Sequence, residues 1–453
     1  MPRLFGTDGI RGVANVDLKP TVAYALGRAT AHRLVGPGGS IVVGRDTRRS
    51  GDMFVAAIAA GATSLGVNVN QVGIVPTPAL AFLTADGDET AGIMVSASHN
   101  PAEDNGLKVL DASGLKLDDA VEDELEQLIW RTEELGGVPP SELGEVRDDS
   151  SRLERYVVHR VGLADRVDAA GMTVVLDCAN GSASRVGGRI LEATGARVEV
   201  IHDAPDGRNI NLGSGATDPA SLAARVVEAG AAVGFALDGD ADRCIAVDAA
   251  GAIVDGDQLL GILALDRLGR VARAAAGRTV DRADGTLVVS VLSNGGLEGA
   301  VRRAGGTVVR TPVGDKYILE GMQVAGAGLG GEKSGHVIVA EHTTSGDGLV
   351  TALEVLRVMT VAGRSLAELA ADIPLLPQEQ RTVPVRHREQ WEGDPALRRT
   401  IADAESRLGD GGRVIVRPSG TEPALRIMVE GLDATTVREL ADAIAARAAE
   451  RLN

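Results

Sequence analysis

The chain has 453 residues, which is enough for several α/β domains and too many for one small binding module. It carries 46 lysines and arginines against 63 aspartates and glutamates, a net charge of −17, and only 2% of its residues are aromatic. The charge argues against binding along a nucleic-acid backbone, and the few aromatic rings leave no material for base-stacking platforms.

The start of the chain and its uncharged stretch bear on where the protein resides. The amino-terminal sequence MPRLFGTDGIRG has no apolar core of the kind that a secretion signal needs, so we expect a cytoplasmic protein. Residues 53–85 carry no charge, but glycine, asparagine and proline interrupt them. We therefore expect a helix and a short strand in a buried core there, and no membrane span.

One pattern of strands and helices is predicted three times in chain order. Each unit has an apolar, β-branched strand, an Ala/Leu-rich helix, a second strand, and later a third short strand. The predicted strands are 40–44, 66–69 and 92–95 in the first unit, 173–176, 195–200 and 233–237 in the second, and 286–291, 306–309 and 326–329 in the third. This order is typical of parallel α/β sheets, so we predict three related domains.

The pattern changes after about residue 370. Two apolar strands, 413–416 and 425–429, flank the turn sequence RPSGTEPA, and the acidic run 132–151 marks a boundary between the first two units. We therefore expect an α/β protein with three related parallel or mixed-sheet domains around a central cleft, followed by a smaller α+β domain. The predicted domains are residues 1–152, 153–254, 255–371 and 372–453.

A polar loop follows each third strand. The loops read SASHNP at 96–101, DGDADR at 238–243 and GEKSGH at 331–336. Ligands of open parallel sheets bind beyond the carboxyl ends of the strands, so three equivalent loops are expected to converge on one cleft.

The second loop has three carboxylates at alternate positions, Asp238, Asp240 and Asp242. A bound cation relieves their mutual repulsion, and an all-oxygen ligand set favours Mg²⁺. The alternative is an acidic, solvated turn, which the apolar residues on both sides disfavour. The sequence therefore predicts a magnesium site.

The first loop places Ser98 directly before His99. It lacks the Gly-x-Ser-x-Gly pattern of hydrolases, and taken alone it is more typical of a polar turn than of a nucleophile. Beside a magnesium loop and arginines, however, a serine hydroxyl suits phosphoryl transfer, in which positioning and charge neutralisation supply most of the catalysis.

Three further segments carry candidate binding residues. Arg11 lies between glycines in FGTDGIRG, and the third loop presents Glu332, Ser334 and His336, which suit sugar hydroxyls. The turn near the end of the chain suits a bound phosphate, the alternative being a structural hairpin. Its candidates are Arg417, Ser419, Gly420, Thr421 and Arg426.

Lysine is rare in this chain, with five residues. Lys108, Lys316 and Lys333 lie in or beside the polar loops, which suggests a role in the cleft. Lys116 is expected to be an ordinary surface residue.

The chain resembles the α-D-phosphohexomutase superfamily over essentially its whole length. Five ordered motifs carry the resemblance: FGTDGIRG, SASHNP with DNGLK at 104–108, DGDADR, GEKSGH and RPSGTEP. The match is closest to the bacterial branch that acts on glucosamine phosphates, although Lys333 stands where that branch more often has Gln. The resemblance implies four domains around a central cleft.

The resemblance also implies a reaction. Ser98 would carry a phosphate, and Mg²⁺ would bind Asp238, Asp240, Asp242 and an oxygen of the phosphoserine. Glucosamine 6-phosphate would become glucosamine 1,6-bisphosphate and then glucosamine 1-phosphate, a cell-wall precursor. The bisphosphate is also expected to prime the enzyme.

Roles for other residues follow from the same resemblance. Arg11, His99 and Lys108 would assist proton transfer and stabilise the transferring phosphoryl group, and Arg243 would neutralise charge beside the metal. The implied substrate-binding residues are Asp315, Lys316, Glu332, Ser334 and His336 around the sugar, and Arg417, Ser419, Gly420, Thr421 and Arg426 at the distal phosphate. The fourth domain is expected to hinge closed.

Two alternatives stay open at the level of sequence. A phosphomannomutase or phosphoglucomutase would use the same groups on another hexose phosphate. The resemblance also implies a regulatory role as partner of a diadenylate cyclase, and a homodimer, whereas no nucleic-acid or membrane partner is expected.

Overall fold

The computed structural model describes residues 3–6, 8–274, 285–419 and 423–453. The strands of these residues form four sheets, one in each successive part of the chain, and we name the parts domains I to IV. None of the helices in the described ranges combines the length and the apolar character that crossing a membrane requires.

Domain I contains a mixed six-stranded sheet. Its strands are β1 (Ile10–Val13), β2 (Ser40–Arg45), β3 (Asn68–Ile74), β4 (Ala91–Val95), β5 (Asp104–Asp111) and β6 (Val146–Asp148), and its helices are α1 (Pro20–Thr30), α2 (Gly51–Thr63), α3 (Thr77–Ala85) and α4 (Asp119–Trp130). The strand order is β1-β5-β4-β2-β3-β6. β2 is parallel to β3 and β4, whereas β5 is antiparallel to β4 and β1.

Domain II contains a five-stranded sheet. Its elements are α5 (Leu153–Ala164), β7 (Thr173–Asp177), α6 (Gly187–Glu192), β8 (Arg197–Ile201), α7 (Ala220–Ala229), β9 (Val233–Leu237), β10 (Cys244–Asp248) and β11 (Ile253–Val254). The strand order is β11-β10-β9-β7-β8.

Domain III contains a four-stranded sheet. Its elements are α8 (Gly256–Ala274), β12 (Thr286–Ser290), α9 (Gly295–Arg303), β13 (Thr307–Thr311), α10 (Asp315–Ala325), β14 (Leu329–Gly331), β15 (Val337–Val339), α11 (Gly348–Ala362) and α12 (Leu366–Ala370). The strand order is β13-β12-β14-β15.

Domain IV is smaller and purely antiparallel in its sheet. Its elements are β16 (Gln378–Pro384), α13 (Pro395–Leu408), β17 (Arg413–Pro418), β18 (Ala424–Glu430) and α14 (Ala434–Arg451). β18 lies between β16 and β17 and pairs with both.

The first three sheets share one arrangement. The first strand of each unit lies between the second and the third, as in β3-β2-β4, β8-β7-β9 and β13-β12-β14. An antiparallel strand follows each third strand, and the connection between the two holds one of the polar loops. The prediction of three related α/β domains followed by a smaller α+β domain is confirmed.

Two elements differ from the sequence-based expectation. The uncharged residues 53–85 contain a second helix, α3, because Pro78 lies in its first turn, where a missing N–H costs nothing. The third strand of the third unit starts at Leu329 and not at residue 326, because Gly326 adopts a φ of 63° and ends α10.

The buried apolar residues connect the first three domains more closely than they connect the fourth. Buried residues of domains I, II and III, among them Leu83, Phe235 and Leu356, form one continuous core. Domain I has a further cluster of its own around Phe54 and Ile58, and domain IV has a separate core around Ile427 and Ile444. A domain with its own core is expected to move as a unit against its neighbours.

Candidate active site

The three polar loops meet at the carboxyl ends of β4, β9 and β14. Ser98 Oγ donates a hydrogen bond to Asp238 Oδ2 at 2.6 Å, which joins the first loop to the second. The amide of Cys244, just after the second loop, donates to the carbonyl oxygen of Gly335 in the third loop at 3.0 Å. The structure therefore brings all three loops to one cleft.

Ser98 is buried, and its backbone lies in the left-handed region with a φ of 52°. This conformation costs a residue with a side chain about 1 kcal/mol or more unless its surroundings hold it. Besides Asp238, the Ser98 hydroxyl faces Nδ1 of His99 at 3.3 Å. A strained residue that presents a hydroxyl to a carboxylate and an imidazole is typical of a functional site.

Residues outside the first loop, residues 96–101, which we also call the serine loop, hold its backbone in place. Arg48, which is buried, donates to the carbonyl oxygens of Ser98 and Asn100 at 2.9 and 2.8 Å. Asn211 of domain II donates to the same two oxygens at 2.9 and 3.0 Å, and Asp46 accepts from Arg48 at 2.9 Å. Sequence reasoning missed these residues, although Asp46 and Arg48 follow β2 at the sheet edge where ligands are expected.

The carboxylates of Asp238, Asp240 and Asp242 are buried, and their ligand oxygens lie within 4.8 Å of one another. Burial and the two neighbouring carboxylates raise the pKa of Asp238 well above its usual range. Within the described residues, Oδ1 of Asp240 and Oδ1 of Asp242 have no hydrogen-bond partner. Buried, unpaired carboxylate oxygens fit a hard cation such as Mg²⁺.

Positive side chains border this cluster. Lys108 Nζ donates to Asp240 Oδ2 at 2.9 Å, and Arg243 Nε lies 3.8 Å from Asp242 Oδ1. Arg11 donates to a carbonyl oxygen of the serine loop at 3.3 Å. Fixed positive charges in this position would stabilise a phosphoryl group during its transfer.

His99 is held in its neutral form. Burial, together with the positive charges of Arg243 and Arg11, lowers the pKa of His99 from 6.5 to about 4. The imidazole is therefore neutral at pH 7 and able to accept a hydrogen bond near Oγ of Ser98.

The third loop is fixed by hydrogen bonds but keeps one hydroxyl unpaired. Glu332 Oε1 accepts from the amide of Gly314 at 3.0 Å, and His336 Nε2 accepts from the amide of Gly346 at 3.2 Å. Oγ of Ser334 is buried and has no partner in the part of the chain that the structure describes. This combination suits hydrogen bonding to a bound sugar hydroxyl.

The side chains of Asp315 and Lys316, at the start of α10, reach across to domain I. Asp315 accepts from Lys116, and Lys316 Nζ donates to Asp119 Oδ1 at 2.7 Å. Burial alone would raise the pKa of Asp315, but the positive charge and the hydrogen bond of Lys116 lower it to about 2. Both residues border the cleft and also join domain III to domain I.

The expectation that Lys116 lies at the surface is wrong. Its side chain is 18% exposed, and its ammonium bonds to Asp8 and Asp315. Gly114 adopts a φ of 73° in the preceding turn and packs so closely that a Cβ would lie 2.2 Å from the carbonyl oxygen of Ala81. The turn therefore folds back onto domain I and directs Lys116 inward.

The candidate phosphate site lies between β17 and β18. Arg417 and Arg426 are opposite each other in the register of these strands, and burial together with the charge of Arg426 lowers the pKa of Arg417. Oγ of Ser419 is buried and has no partner in the described ranges. These groups suit an anion between two guanidinium groups. Gly420 and Thr421, the other candidates, lie outside the described residues.

Lys333 contacts the connection into domain IV. Its Nζ donates to Gln378 Oε1 at 2.9 Å and lies 3.9 Å from Asp255 Oδ2. Gln378 in turn donates to the carbonyl oxygen of Leu292 at 3.0 Å. This lysine therefore links the third loop to the start of β16.

Family models of the phosphoglucomutase/phosphomannomutase proteins match four successive parts of the chain. Alpha/beta/alpha domains I, II and III match residues 2–136, 154–251 and 255–375, and the C-terminal domain matches residues 382–447. The chain therefore belongs to the phosphoglucomutase/phosphomannomutase family, the superfamily that its motifs resemble.

Individual relatives indicate one branch of this family. The chain is 51% identical over 436 residues to the phosphoglucosamine mutase of Moorella thermoacetica, with 96% of each chain covered. It is 48% identical over 459 residues to that of Frankia alni, with 98% of each covered. The solved structure of a phosphoglucomutase/phosphomannomutase family protein from Burkholderia thailandensis matches with a TM-score of 0.81 at 25% identity, covering 100% of this chain and 98% of the other. The resemblance to the phosphoglucosamine mutase branch is thus confirmed.

Proposed function

We propose that the chain is a Mg²⁺-dependent phosphoglucosamine mutase that interconverts glucosamine 6-phosphate and glucosamine 1-phosphate. Identities of 46 to 51% to phosphoglucosamine mutases over nearly the full chain support this proposal. The observation that carries it is the 2.6 Å contact between Ser98 Oγ and Asp238, because it places a hydroxyl that can hold a phosphate beside a buried carboxylate cluster.

In the proposed reaction, Ser98 carries a phosphate on Oγ. O1 of glucosamine 6-phosphate attacks the phosphorus, the P–Oγ bond breaks as the P–O1 bond forms, and O1 loses its proton to a base. The resulting 1,6-bisphosphate turns over in the cleft. Oγ of Ser98 then takes the phosphoryl group from O6, which regains a proton, and glucosamine 1-phosphate remains. Glucosamine 1,6-bisphosphate can therefore also prime an unphosphorylated enzyme.

The metal would be held by Asp238, Asp240 and Asp242, together with an oxygen of the phosphorylated Ser98. When bound, Mg²⁺ supplies neutralisation of the charge on the phosphoryl group. The unpaired Oδ1 atoms of Asp240 and Asp242 are the groups in this structure that fit it.

The remaining steps are assigned to residues around the serine. Arg11, Lys108 and Arg243 add fixed positive charge beside the transferring group. His99, whose pKa is lowered to about 4, is neutral at pH 7, so its imidazole would accept a hydrogen bond from the attacking hydroxyl and assist proton transfer without keeping the proton.

The substrate would be held by hydrogen bonds and charge. The sugar hydroxyls would bind the third loop, and the phosphate that is not reacting would bind domain IV. Because each end of the bisphosphate must fit each position in turn, a few polar contacts suit the site better than an aromatic platform. The proposed substrate-binding residues are Glu332, Ser334 and His336, with Asp315 and Lys316 beside them, and Arg417, Ser419, Gly420, Thr421 and Arg426.

The test compares the turnover of glucosamine, mannose and glucose 6-phosphates by the purified chain with Mg²⁺ and a trace of the matching 1,6-bisphosphate. We expect the highest kcat/KM with glucosamine 6-phosphate. A preference for mannose or glucose 6-phosphate would contradict the proposal and favour a phosphomannomutase or phosphoglucomutase, an activity that the family description includes.

The same assay tests the nucleophile. Ser98→Ala is expected to be inactive on all three sugars, because it lacks the hydroxyl that would hold the phosphate. Ser113→Ala, in an exposed turn, is the matched control and is expected to keep full activity. Mass spectrometry should find one added phosphate on the wild-type peptide that contains Ser98; activity in Ser98→Ala would refute the phosphoserine.

Two further expectations rest on the resemblance, a homodimer and regulatory binding to a diadenylate cyclase, and a cytoplasmic location is proposed beside them. Light scattering after size-exclusion chromatography tests the first, and titration of the purified chain against a purified cyclase tests the second.

A further inference from the structure

Lys116 lies between domains I and III and has no part in the reaction proposed above. Its ammonium contacts Oδ1 of Asp8 in domain I and Oδ2 of Asp315 in domain III. Between 16% and 21% of each of these three side chains is exposed. Water and salt therefore screen the two ion pairs only weakly.

Asp8 connects Lys116 to two cations of the proposed reaction. Oδ2 of Asp8 lies 3.2 Å from Nζ of Lys108 and also bonds to Arg11. Lys108 in turn contacts Asp240 at 2.9 Å. Positive and negative side chains thus alternate from the metal cluster in domain II through domain I to domain III.

We propose that Lys116 is a positioning residue for phosphoryl transfer. By neutralising Asp8 from one side, it keeps that carboxylate from drawing Lys108 and Arg11 away from the phosphoryl group. By bonding Asp315, it also holds the start of α10 against domain I. The inference rests on the proposed function and assigns a role to a residue outside the motifs.

The rarity of lysine supports a need for an ammonium group at this position. Lysine makes up only five of the 46 basic residues, so arginine is the chain's usual cation. An ammonium nitrogen donates in three directions from one point, whereas a guanidinium is planar and larger. A single nitrogen between two carboxylates therefore favours lysine.

A neighbouring cavity makes a specific test possible. The cavity has a volume of about 320 Å³ and is lined by Lys116, Asp315 and apolar side chains such as Leu117 and Leu319. Truncation of Lys116 to alanine would extend this cavity, which Asp315 already lines, to Asp8. A small alkylammonium ion could then occupy the place of the missing ammonium.

The first experiment measures steady-state kinetics of the full chain with Mg²⁺. Lys116→Met is expected to lower kcat on the order of 10- to 100-fold, because the cations that act in the transition state are misplaced, and to raise KM for the phosphosugar by a smaller factor, because Asp315 loses its partner. Lys19→Met is the matched control, since Lys19 is exposed at the start of α1, and it is expected to keep wild-type kinetics.

The second experiment is chemical rescue of Lys116→Ala. Ethylammonium is expected to restore part of the lost kcat in a saturable manner, whereas ethanol, which is neutral and similar in shape, is not. Wild-type kcat in Lys116→Met, or an equal response of Lys116→Ala to the two compounds, would overturn the inference.

A third measurement uses Asp8→Asn, which removes the carboxylate that would draw Lys108 and Arg11 away. Added to Lys116→Met, it is expected to restore part of the lost kcat, and it leaves no unpaired carboxylate at residue 8, so the double variant also serves where Lys116→Met alone does not fold. A double variant that loses at least the product of the two single losses would overturn the inference.

A failure of the proposed function is distinguishable from a failure of this inference, because the wild type itself would then be inactive towards glucosamine 6-phosphate. The Lys116 variants would then be compared on the hexose phosphate that the wild type does convert.

Discussion

The three aspartates of the second loop occupy equivalent positions in the sequence but differ in the structure. Burial raises the pKa of each, yet His336 and Lys108 face Asp242 and lower its pKa well below the usual range. Asp238 lies against the other two carboxylates, so its pKa is raised. A bound divalent cation removes this difference, because it favours the ionised form of every ligand.

Metal binding can be measured at this residue scale without any assay of activity. We expect MgCl₂ to raise the Tm of the wild type, since an ion that binds only the folded chain stabilises it, and we expect Asp240→Asn to lose this rise. Differential scanning calorimetry measures both. The exposed Asp165→Asn is the control and should keep the rise; a full rise in Asp240→Asn would remove that residue from the metal site.

The sequence motifs identified candidate site residues that directly follow a strand of the repeat, such as Ser98 and Asp238. It could not reach groups that act through distant contacts. Asn211 holds the carbonyl group of Ser98 from 113 positions away, and Asp8 joins Arg11 to Lys116 across domain I. Such partners depend on how the domains pack, which strand periodicity does not describe.

At the scale of elements, strands were easier to predict than the ends of helices. Apolar, β-branched runs located β2, β7 and β12, because burial on both faces leaves a continuous apolar sequence. Pro78 and Gly326 were misleading because a proline can start a helix and a glycine can end one. The direction of Lys116 depends likewise on the backbone angle of Gly114.

Helices α1 and α2 cross at two glycines. A Cβ on Gly61 would lie 2.1 Å from the carbonyl oxygen of Tyr24, and a Cβ on Gly27 would lie 2.3 Å from that of Ile58. We expect Gly61→Ala to lower the free energy of unfolding by about 1 to 3 kcal/mol, because the helices must move apart. Urea unfolding followed by circular dichroism measures this change.

Gly162→Ala in α5 is the matched control for that substitution. A Cβ on Gly162 would meet no described atom within 4 Å, apart from its chain neighbours and the backbone of its own helix. Only helix propensity should therefore change the stability of this variant. Alanine should stabilise this helix by up to about 1 kcal/mol. Equal losses in both variants would contradict the explanation by close packing.

Helix α8 begins beside a buried carboxyl group. Burial and the charge of Asp255 raise the pKa of Asp257 from 3.8 to about 6. The folded chain keeps this proton up to about pH 6, whereas the unfolded chain releases it near pH 4. Stability is therefore lost as the pH rises through this window, by up to about 3 kcal/mol at about 1.4 kcal/mol per pKa unit.

In the wild type, the backbone amide of Asn294 donates to Asp257 Oδ2 at 2.8 Å. Asp257→Asn removes the titrating group but keeps a side-chain oxygen that can accept this hydrogen bond. We expect the free energy of unfolding of the variant, relative to wild type, to increase between pH 4 and pH 7. Urea unfolding at both pH values measures the difference. A difference that does not change with pH would show that Asp257 does not titrate in this range.

At the scale of the whole molecule, a polar joint connects domain IV to domain III. Arg413 donates to the carbonyl oxygen of Val291 at 2.7 Å and to Glu430 Oε1 at 2.9 Å. Polar contacts of this kind are exchanged with water more readily than a shared apolar core. The joint therefore suits a domain that closes over its ligand and reopens.

Arg413→Met is expected to broaden the range of domain IV positions and to raise KM for the phosphosugar several-fold, because closure then holds the distal phosphate less well. Small-angle scattering with and without a 1,6-bisphosphate, together with kinetics, measures both effects. Arg407→Met is the control, since Arg407 pairs with Glu439 on the exposed surface of domain IV. Unchanged scattering and an unchanged KM in Arg413→Met would show that Arg413 does not control the position of domain IV.

Four of the five lysines lie where two domains meet. The contacts are Lys108 with Asp240, Lys116 with Asp315, Lys316 with Asp119, and Lys333 with Gln378. The net charge of −17 is a sum over the whole chain and does not describe these junctions, where each lysine contacts an acceptor from another domain. The exposed Lys19 is the exception.

This distribution makes the chain's own amines into reporters of domain separation. An acylating reagent reacts with an unprotonated, accessible amine, so Lys19 should be modified at the rate of an ordinary surface lysine. Lys108 and Lys316, at 2% and 11% exposure, can react only as fast as their junctions open. One time course of acylation, read by mass spectrometry, would thus record the opening of each junction separately and without an introduced label.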